Sequence, residues 1–387
     1  MSPLPVASLR HGRPPVGIFP SLALSLGSLT ALAALLGGCT GPPYQAARAP
    51  HGGGEVPPEV DYWSGFFDGA DQVKLFEQAW KPSHAPRATV VFVHDLKDHS
   101  SRYRDLGVQL AHRGIAFYSF DMRGHGYSEG VRDHIDSLEH AVADLGTEVG
   151  RARDRHPASV PFFVAGQGFG ADVVAVWNVR TQPKVSGIVL SAPMLRADVK
   201  RAERLGLRAA AIFGGSTHKV DFDLRDWSSD PAVVAAAHTD PLIYDGQPTA
   251  STARELLRAS DEVQDQVAKF TAPALVLQGA ADKVTDPALG RALEEHIASQ
   301  DKQLAVYDGA AHDLFHEPTR ADIIGAMLGW VSTRANTEAA QADLAKEEAA
   351  KVAAAKEAAD AQLAGKSKAL TGDSQKSTAK PRKKSSK

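Results

Sequence analysis

The stretch Val164-Ala165-Gly166-Gln167-Gly168-Phe169-Gly170-Ala171 constrains this chain more than any other. Before it runs Pro161-Phe162-Phe163-Val164, which reads as a buried strand, and after it Asp172-Val173-Val174-Ala175-Val176-Trp177 reads as the start of a helix. A strand that enters a helix through alternating glycines needs a sharp turn with close backbone contacts. Two chemistries use such a turn. One is a phosphate loop, G-x-G-x-x-G. Its strict spacing fails from Gly166, because position 171 is Ala171, although a looser form tolerates alanine. The other is the nucleophile elbow, G-x-S-x-G. Gly166 and Gly170 supply its flanks, but Gly168 stands where the serine belongs. The local residues leave both open.

The wider pattern bears on that choice. From about Val60 to Arg334, apolar runs alternate with helical patterns, which predicts one large α/β domain with a mostly parallel central sheet flanked by helices. Expected strands are Val73–Ala79, Ala88–His94, Ile115–Phe120, Phe162–Ala165, Ser186–Leu190, Ala274–Gln278 and Gln303–Tyr307. Expected helices include Arg102–His112, Ser137–Arg153 and Pro287–Ile297.

Several motifs occur in one order. Val91-Phe92-Val93-His94-Asp95-Leu96-Lys97-Asp98-His99-Ser100-Ser101-Arg102-Tyr103 comes first. Phe120-Asp121-Met122-Arg123-Gly124-His125-Gly126-Tyr127-Ser128-Glu129-Gly130 follows, then Val189-Leu190-Ser191-Ala192-Pro193. Leu277-Gln278-Gly279-Ala280-Ala281-Asp282 and Tyr307-Asp308-Gly309-Ala310-Ala311-His312 complete the set. Together they resemble the monoacylglycerol lipase/lysophospholipase-like (serine aminopeptidase S33-type) branch of the α/β-hydrolase superfamily, over about Gly65 to Val331. The resemblance excludes the phosphate loop. It implies an α/β-hydrolase fold with a helical cap insertion between Leu195 and about Phe270. Within that segment Leu205 to Ile212 reads as an amphipathic helix.

The resemblance also assigns a site. Gly168 takes the nucleophile position, Asp282 the acid and His312 the base. A histidine takes the proton of an attacking hydroxyl, and a carboxylate orients the imidazole and stabilises its cation. Without the hydroxyl, Asp282 and His312 are expected to remain as a hydrogen-bonded structural pair. The oxyanion hole would use the backbone amides of Leu96 and Phe169, and backbone donors survive a change of side chain. Two neighbours depart from the family pattern: Asp95 follows His94 where the family has glycine, and Gln167 replaces its histidine. If Asp95 faces the hole, its charge opposes a developing oxyanion. At Gly168, glycine relieves backbone strain worth about 1–3 kcal/mol for a residue with a Cβ. Ser128 and Ser191 sit in family motifs as structural residues. His94 and His99 match ordinary family residues, so the sequence gives no metal site and no cofactor.

The ends have their own chemistry. Arg10 and Arg13 precede an uncharged apolar run, Val16 to Leu36, and then Leu36-Gly37-Gly38-Cys39. This is the pattern of a lipoprotein signal peptide, with Cys39, the only cysteine, as the lipid attachment residue. The alternative is a plain membrane-spanning anchor. Either reading implies an export route, and the first implies anchoring in a bacterial cell envelope, at the periplasmic face or the outer membrane. Residues Thr40 to Pro58, rich in Pro, Gly and Ala, read as a flexible tether. Asn336 to Ala364 reads as a solvated Ala/Glu/Lys-rich helix, and Gly365 to Lys387 as a basic disordered tail. That tail carries a net charge of +7, against −3 for the whole chain. Outside the cytoplasm this suits an anionic lipid or envelope polymer and not a nucleic acid. A solubilising role is the plainer alternative.

Three functions follow as expectations. The chain is a lipid-anchored hydrolase-fold protein that has lost serine-ester chemistry and keeps a pocket for an acyl or ester small molecule. Alternatively it is an active carboxylic ester hydrolase with another nucleophile, or an envelope interaction module working through its tail.

Overall fold

A computed structural model describes residues 56–194 and 223–337. The leader with Cys39, the helix expected over Leu205 to Ile212, and nearly all of the C-terminal extension lie outside the described residues. So does all but the last part of the tether.

Among the described residues, eight strands form one sheet in the order β1-β2-β4-β3-β5-β6-β7-β8. They are β1 (Val60–Asp68), β2 (Lys74–Pro82), β3 (Ala88–Val93), β4 (Ile115–Phe120), β5 (Phe162–Gln167), β6 (Gly187–Ser191), β7 (Ala274–Gly279) and β8 (Lys302–Tyr307). From β4 through β3, β5, β6 and β7 to β8 every pairing is parallel. Only β1 with β2 and β2 with β4 are antiparallel. The helices are α1 (Arg104–His112), α2 (Leu138–Asp154), α3 (Phe169–Thr181), α4 (Pro231–Thr239), α5 (Ala250–Gln266) and α6 (Pro287–His296), then α7 over 320–337.

The central strands read as unbroken apolar runs because helices cover both faces of the sheet. On β3, Val91 and Val93 join one core cluster with Leu138 and Leu145 of α2 and Val173 of α3. Val90 and Phe92 point the other way, into a second cluster with Leu106 and Leu110 of α1 and Ile324 of α7. This period of two is what a strand between two helical layers requires. The helix starts follow local chemistry. Ser137 accepts the amides of Glu139 and His140 ahead of α2, and Asp286 accepts that of Ala288, with Pro287 in the first turn of α6.

Two features differ from the sequence expectation. Strand β1 is not among the expected strands: it is an edge strand whose Trp63 and Phe66 stay partly exposed, so its hydrophobic pattern is broken. Helix α5 falls within the segment assigned to the cap, yet it packs against α2 and α3 and belongs to the helical layer of the body. Its residues Ala253, Leu256, Ala259 and Val263 are part of the first core cluster.

Candidate active site

The parallel strands end at one edge, and the loops leaving β3, β5, β7 and β8 carry Asp95, Gly168, Asp282 and His312 respectively. At the end of β5, Gln167 pairs with Ser191 of β6, and Gly168 turns the chain with φ 55° and ψ −124°. α3 then begins at Phe169. This positive φ strains any residue with a Cβ. The flanking glycines are needed for space. A Cβ on Gly166 would stand 2.4 Å from the carbonyl oxygen of Gly170. One on Gly170 would stand 2.3 Å from the carbonyl oxygens of both His94 and Val93.

At Gly168 the obstacle is different. A Cβ there would lie 2.0 Å from Oδ1 and 2.1 Å from Cγ of Asp95. The carboxyl group of Asp95 thus occupies the volume that a side chain on Gly168 would take. Its Oδ1 accepts two amide hydrogen bonds, from Leu96 and from Phe169, each of 2.7 Å. These are the two donors that the family resemblance assigns to the oxyanion hole. They remain as donors, but the hole is filled by the protein's own carboxylate. The Phe169 amide is one of the unpaired donors at the start of α3, where the helix dipole also favours negative charge.

Oδ2 of Asp95 lies 2.9 Å from Nε2 of His312, whose Nδ1 lies 2.9 Å from Oδ2 of Asp282. The imidazole is fully buried between two carboxylates. Burial works against its charged form, but Asp282 and then Asp95 outweigh it and hold the His312 pKa well above the usual histidine range. The Asp95 carboxyl is pushed up by burial, offset in part by its hydrogen bond to His312. Both directions favour protonation at the contact between Nε2 and Oδ2. Asp282 is fixed in turn by the amides of Val284 at 2.9 Å and Thr285 at 2.8 Å, which donate to its Oδ1. The side chain of Gln167 points to the same loop: its Nε2 donates to the backbone carbonyl of His312 across 2.7 Å.

The loop carrying Asp95 is itself held. The Met122 amide donates to Nε2 of His94 at 2.9 Å, so the His94 proton sits on Nδ1, which donates to the Asp95 carbonyl at 2.6 Å. Burial, then His125, brings the His94 pKa down to about 4, so the ring is neutral. Farther along, Arg102 pairs with Asp98 of its own loop and with Asp313, next to His312. It also lies over the Trp227 ring, 4.9 Å from the centroid. Tyr103 donates its hydroxyl to Asp98 at 2.6 Å. Nε2 of His99 reaches Asp240 at 3.1 Å.

The sequence does not single out the Arg102–Asp313 link, since ion pairing between distant loops leaves no local pattern. Nor does it mark Asp172, which lies fully buried in the first turn of α3. Burial, then Asp95, pushes its carboxyl well above the usual carboxylate range. An acid inside an otherwise apolar run, one turn after the elbow, is the available signal. Ser128 is engaged structurally: it accepts the Phe76 amide at 2.8 Å and donates to the Asp121 carbonyl at 2.6 Å. Ser191 ends β6, and its carbonyl accepts the Gly168 amide at 2.9 Å. Among the described residues no group of three or more His, Cys, Asp or Glu side chains is arranged to hold a metal ion.

The family model "Serine aminopeptidase, S33" matches residues 84–319, more than half of the chain. The chain belongs to this family of α/β-hydrolases. Within it the likeness is to the monoacylglycerol lipase branch. The monoacylglycerol lipase of Mycolicibacterium smegmatis is 33% identical over 272 residues, covering 68% of this chain and 95% of that protein. The monoglyceride lipase of Rattus norvegicus is 29% identical over 277 residues, covering 70% of this chain and 91% of that protein. Among solved structures, a Saccharomyces cerevisiae monoglyceride lipase variant in complex with a substrate analogue superposes with a TM-score of 0.63 at 19% identity. That match covers 74% of this chain and 99% of the yeast one. The Paleococcus ferrophilus monoacylglycerol lipase gives a TM-score of 0.59 at 24% identity, covering 71% of this chain and 99% of its own. Both likenesses are in fold.

Proposed function

We propose that this S33-family protein has lost serine-dependent ester hydrolysis, stands in a bacterial cell envelope on a lipid carried by Cys39, and keeps a pocket for an acyl or ester small molecule. One observation carries the first part: Asp95 Oδ1 accepts from both Leu96 and Phe169 amides while its Oδ2 holds His312. Acyl transfer needs those amides for the negative charge that develops on the substrate oxygen, and stabilising that charge usually does more for the rate than any other group in such a site. A fixed carboxylate there repels that charge, and Gly168 has no atom to attack a carbonyl. The ligand class rests on the relatives, whose names are those of monoacylglycerol and monoglyceride lipases. The anchor rests on Leu36-Gly37-Gly38-Cys39 after an apolar run.

A serine-directed fluorophosphonate tests the first part. No labelling is expected, and labelling of the wild-type protein at any serine refutes it. Metabolic incorporation of an alkynyl fatty acid tests the anchor. Label is expected in wild type and not in Cys39→Ser, and equal labelling of the two removes the assignment.

A further inference from the structure

We infer that Asp95 is itself a nucleophile, directed at saturated carbon bearing an anionic leaving group, so that the site hydrolyses alkyl halides or alkyl sulfonates through an ester of its own side chain. This goes beyond the reading above and needs no serine.

Three placements support it. The Asp95 carboxyl fills the volume a side chain on Gly168 would take, which is where a fold of this kind presents its attacking atom. Its two oxygens are differentiated. Oδ1 sits on the two amides, and Oδ2 faces the His312–Asp282 pair. The loops that bring these groups together are braced by buried bonds, from His94 on one side and from Gln167 on the other. A carboxylate is a poor nucleophile toward a carbonyl in water, but displacement at saturated carbon asks for no oxyanion hole in the first step. The two amides already hold Oδ1, and they are needed there in the second step.

In the first step Oδ2 forms a bond to the alkyl carbon, and the carbon–halogen or carbon–sulfonate bond breaks with its electron pair leaving as the anion. The product is an alkyl ester of Asp95, with Oδ1 as its carbonyl oxygen on the amides of Leu96 and Phe169. Esterification removes one of the two negative charges that hold the proton on His312. That proton passes to solvent, and the neutral imidazole, oriented by Asp282, becomes a base. In the second step His312 takes a proton from a water molecule whose oxygen attacks Cγ. The negative charge collects on Oδ1 and is met by the same two amides. Collapse breaks the Cγ–Oδ2 bond, His312 returns the proton to the departing oxygen, and the alcohol leaves. The sum is alkyl halide plus water giving alcohol, halide and a proton. One oxygen of Asp95 is now from water.

The probe is 1-bromohexane, with hexyl tosylate as a second leaving group. Wild-type protein turned over once in water enriched in oxygen-18 should gain one heavy oxygen, mapped by peptide mass spectrometry to Asp95. His312→Gln should stop at the first step and accumulate one hexyl group on Asp95. Asp95→Asn should take up neither label. Absence of heavy oxygen at Asp95 in the wild type with both probes overturns the proposal, as does equal alkylation of Asp95→Asn. The wild-type measurement needs no variant to fold. Serine labelling by a fluorophosphonate is read separately, so the two proposals fail independently.

Discussion

The carboxyl group of Asp95 and a side chain at position 168 exclude one another: a Cβ added to Gly168 would fall 2.0 Å from Asp95 Oδ1. Relief of backbone strain is therefore only half of what glycine does here. The other half is to leave room for a residue from a different loop.

The first prediction concerns restoring a serine. Gly168→Ser must push Asp95 off the two amides or distort the elbow, and overpacking of this kind costs about 1–3 kcal/mol. Thermal unfolding should therefore shift down, and hydrolysis of a p-nitrophenyl ester should stay at background. In the double variant Asp95→Gly with Gly168→Ser, the amides of Leu96 and Phe169 are released, and His312 and Asp282 keep their geometry. Ester turnover should appear in this variant. An active single variant, or an inactive double variant that is folded and labelled by a fluorophosphonate, would contradict the steric argument.

A second prediction is a pH dependence of stability. His312 has its folded-state pKa raised above the ordinary 6.5 by Asp282 and Asp95. The folded protein therefore holds a proton that the unfolded chain gives up, and stability falls as pH rises through that window. The contribution is complete below about 6.5 and is lost as the pH passes the folded-state value. Asp95, also raised, acts with the same sign, beginning from its ordinary 3.8. Urea unfolding across this range should show the alkaline decline in wild type, a weaker one in Asp95→Asn, and in His312→Gln only the part that the raised Asp95 carboxyl contributes. A flat wild-type profile above pH 6.5 would show that the imidazolium between the two carboxylates is not there.

The third prediction is structural. Arg102→Ala leaves Asp98 and Asp313 facing each other with their cation gone, and both are buried. Breaking a buried pair in this way costs about 3–5 kcal/mol. Arg102→Lys should recover only part of it, since a point charge does not span both carboxylates as a guanidinium does. Chemical denaturation of the three proteins measures this, and a loss below about 1 kcal/mol would place the pair with ordinary surface bridges.

The fourth prediction separates the glycines by what they meet. Gly170→Ala drives a Cβ into two backbone oxygens that cannot rotate away, those of His94 and Val93. It should destabilise more than Gly168→Ala, whose obstacle is the Asp95 side chain, displaceable at the cost of its hydrogen bonds and without moving backbone. Equal losses in melting temperature would mean that the elbow relaxes as a unit.

The sheet is largely legible in the sequence because β3, β5, β6 and β7 are short apolar runs followed by turns or helices, and burial on both faces leaves few polar residues to blur them. Strand β1 is not, because an edge strand with outward Trp63 and Phe66 has no clean alternation. The motif positions of Asp282 and His312 lead to residues that do meet, 2.9 Å apart. The occupant of the amide pair is only half visible. A carboxylate beside the hole can be read at Asp95, but whether it turns toward solvent or toward Phe169 depends on His94 holding the peptide from below. Asp172 escapes notice because a single acid in an apolar helix looks like a surface position until the helix is found to be enclosed on every side.

The mutual exclusion at the elbow also sets an order for redesign. A side chain at 168 and the Asp95 carboxyl compete for one volume, so a nucleophile can be seated there without displacement only after Asp95 has been replaced. Changing Asp95 alone empties the space, and the second change, at Gly168, fills it.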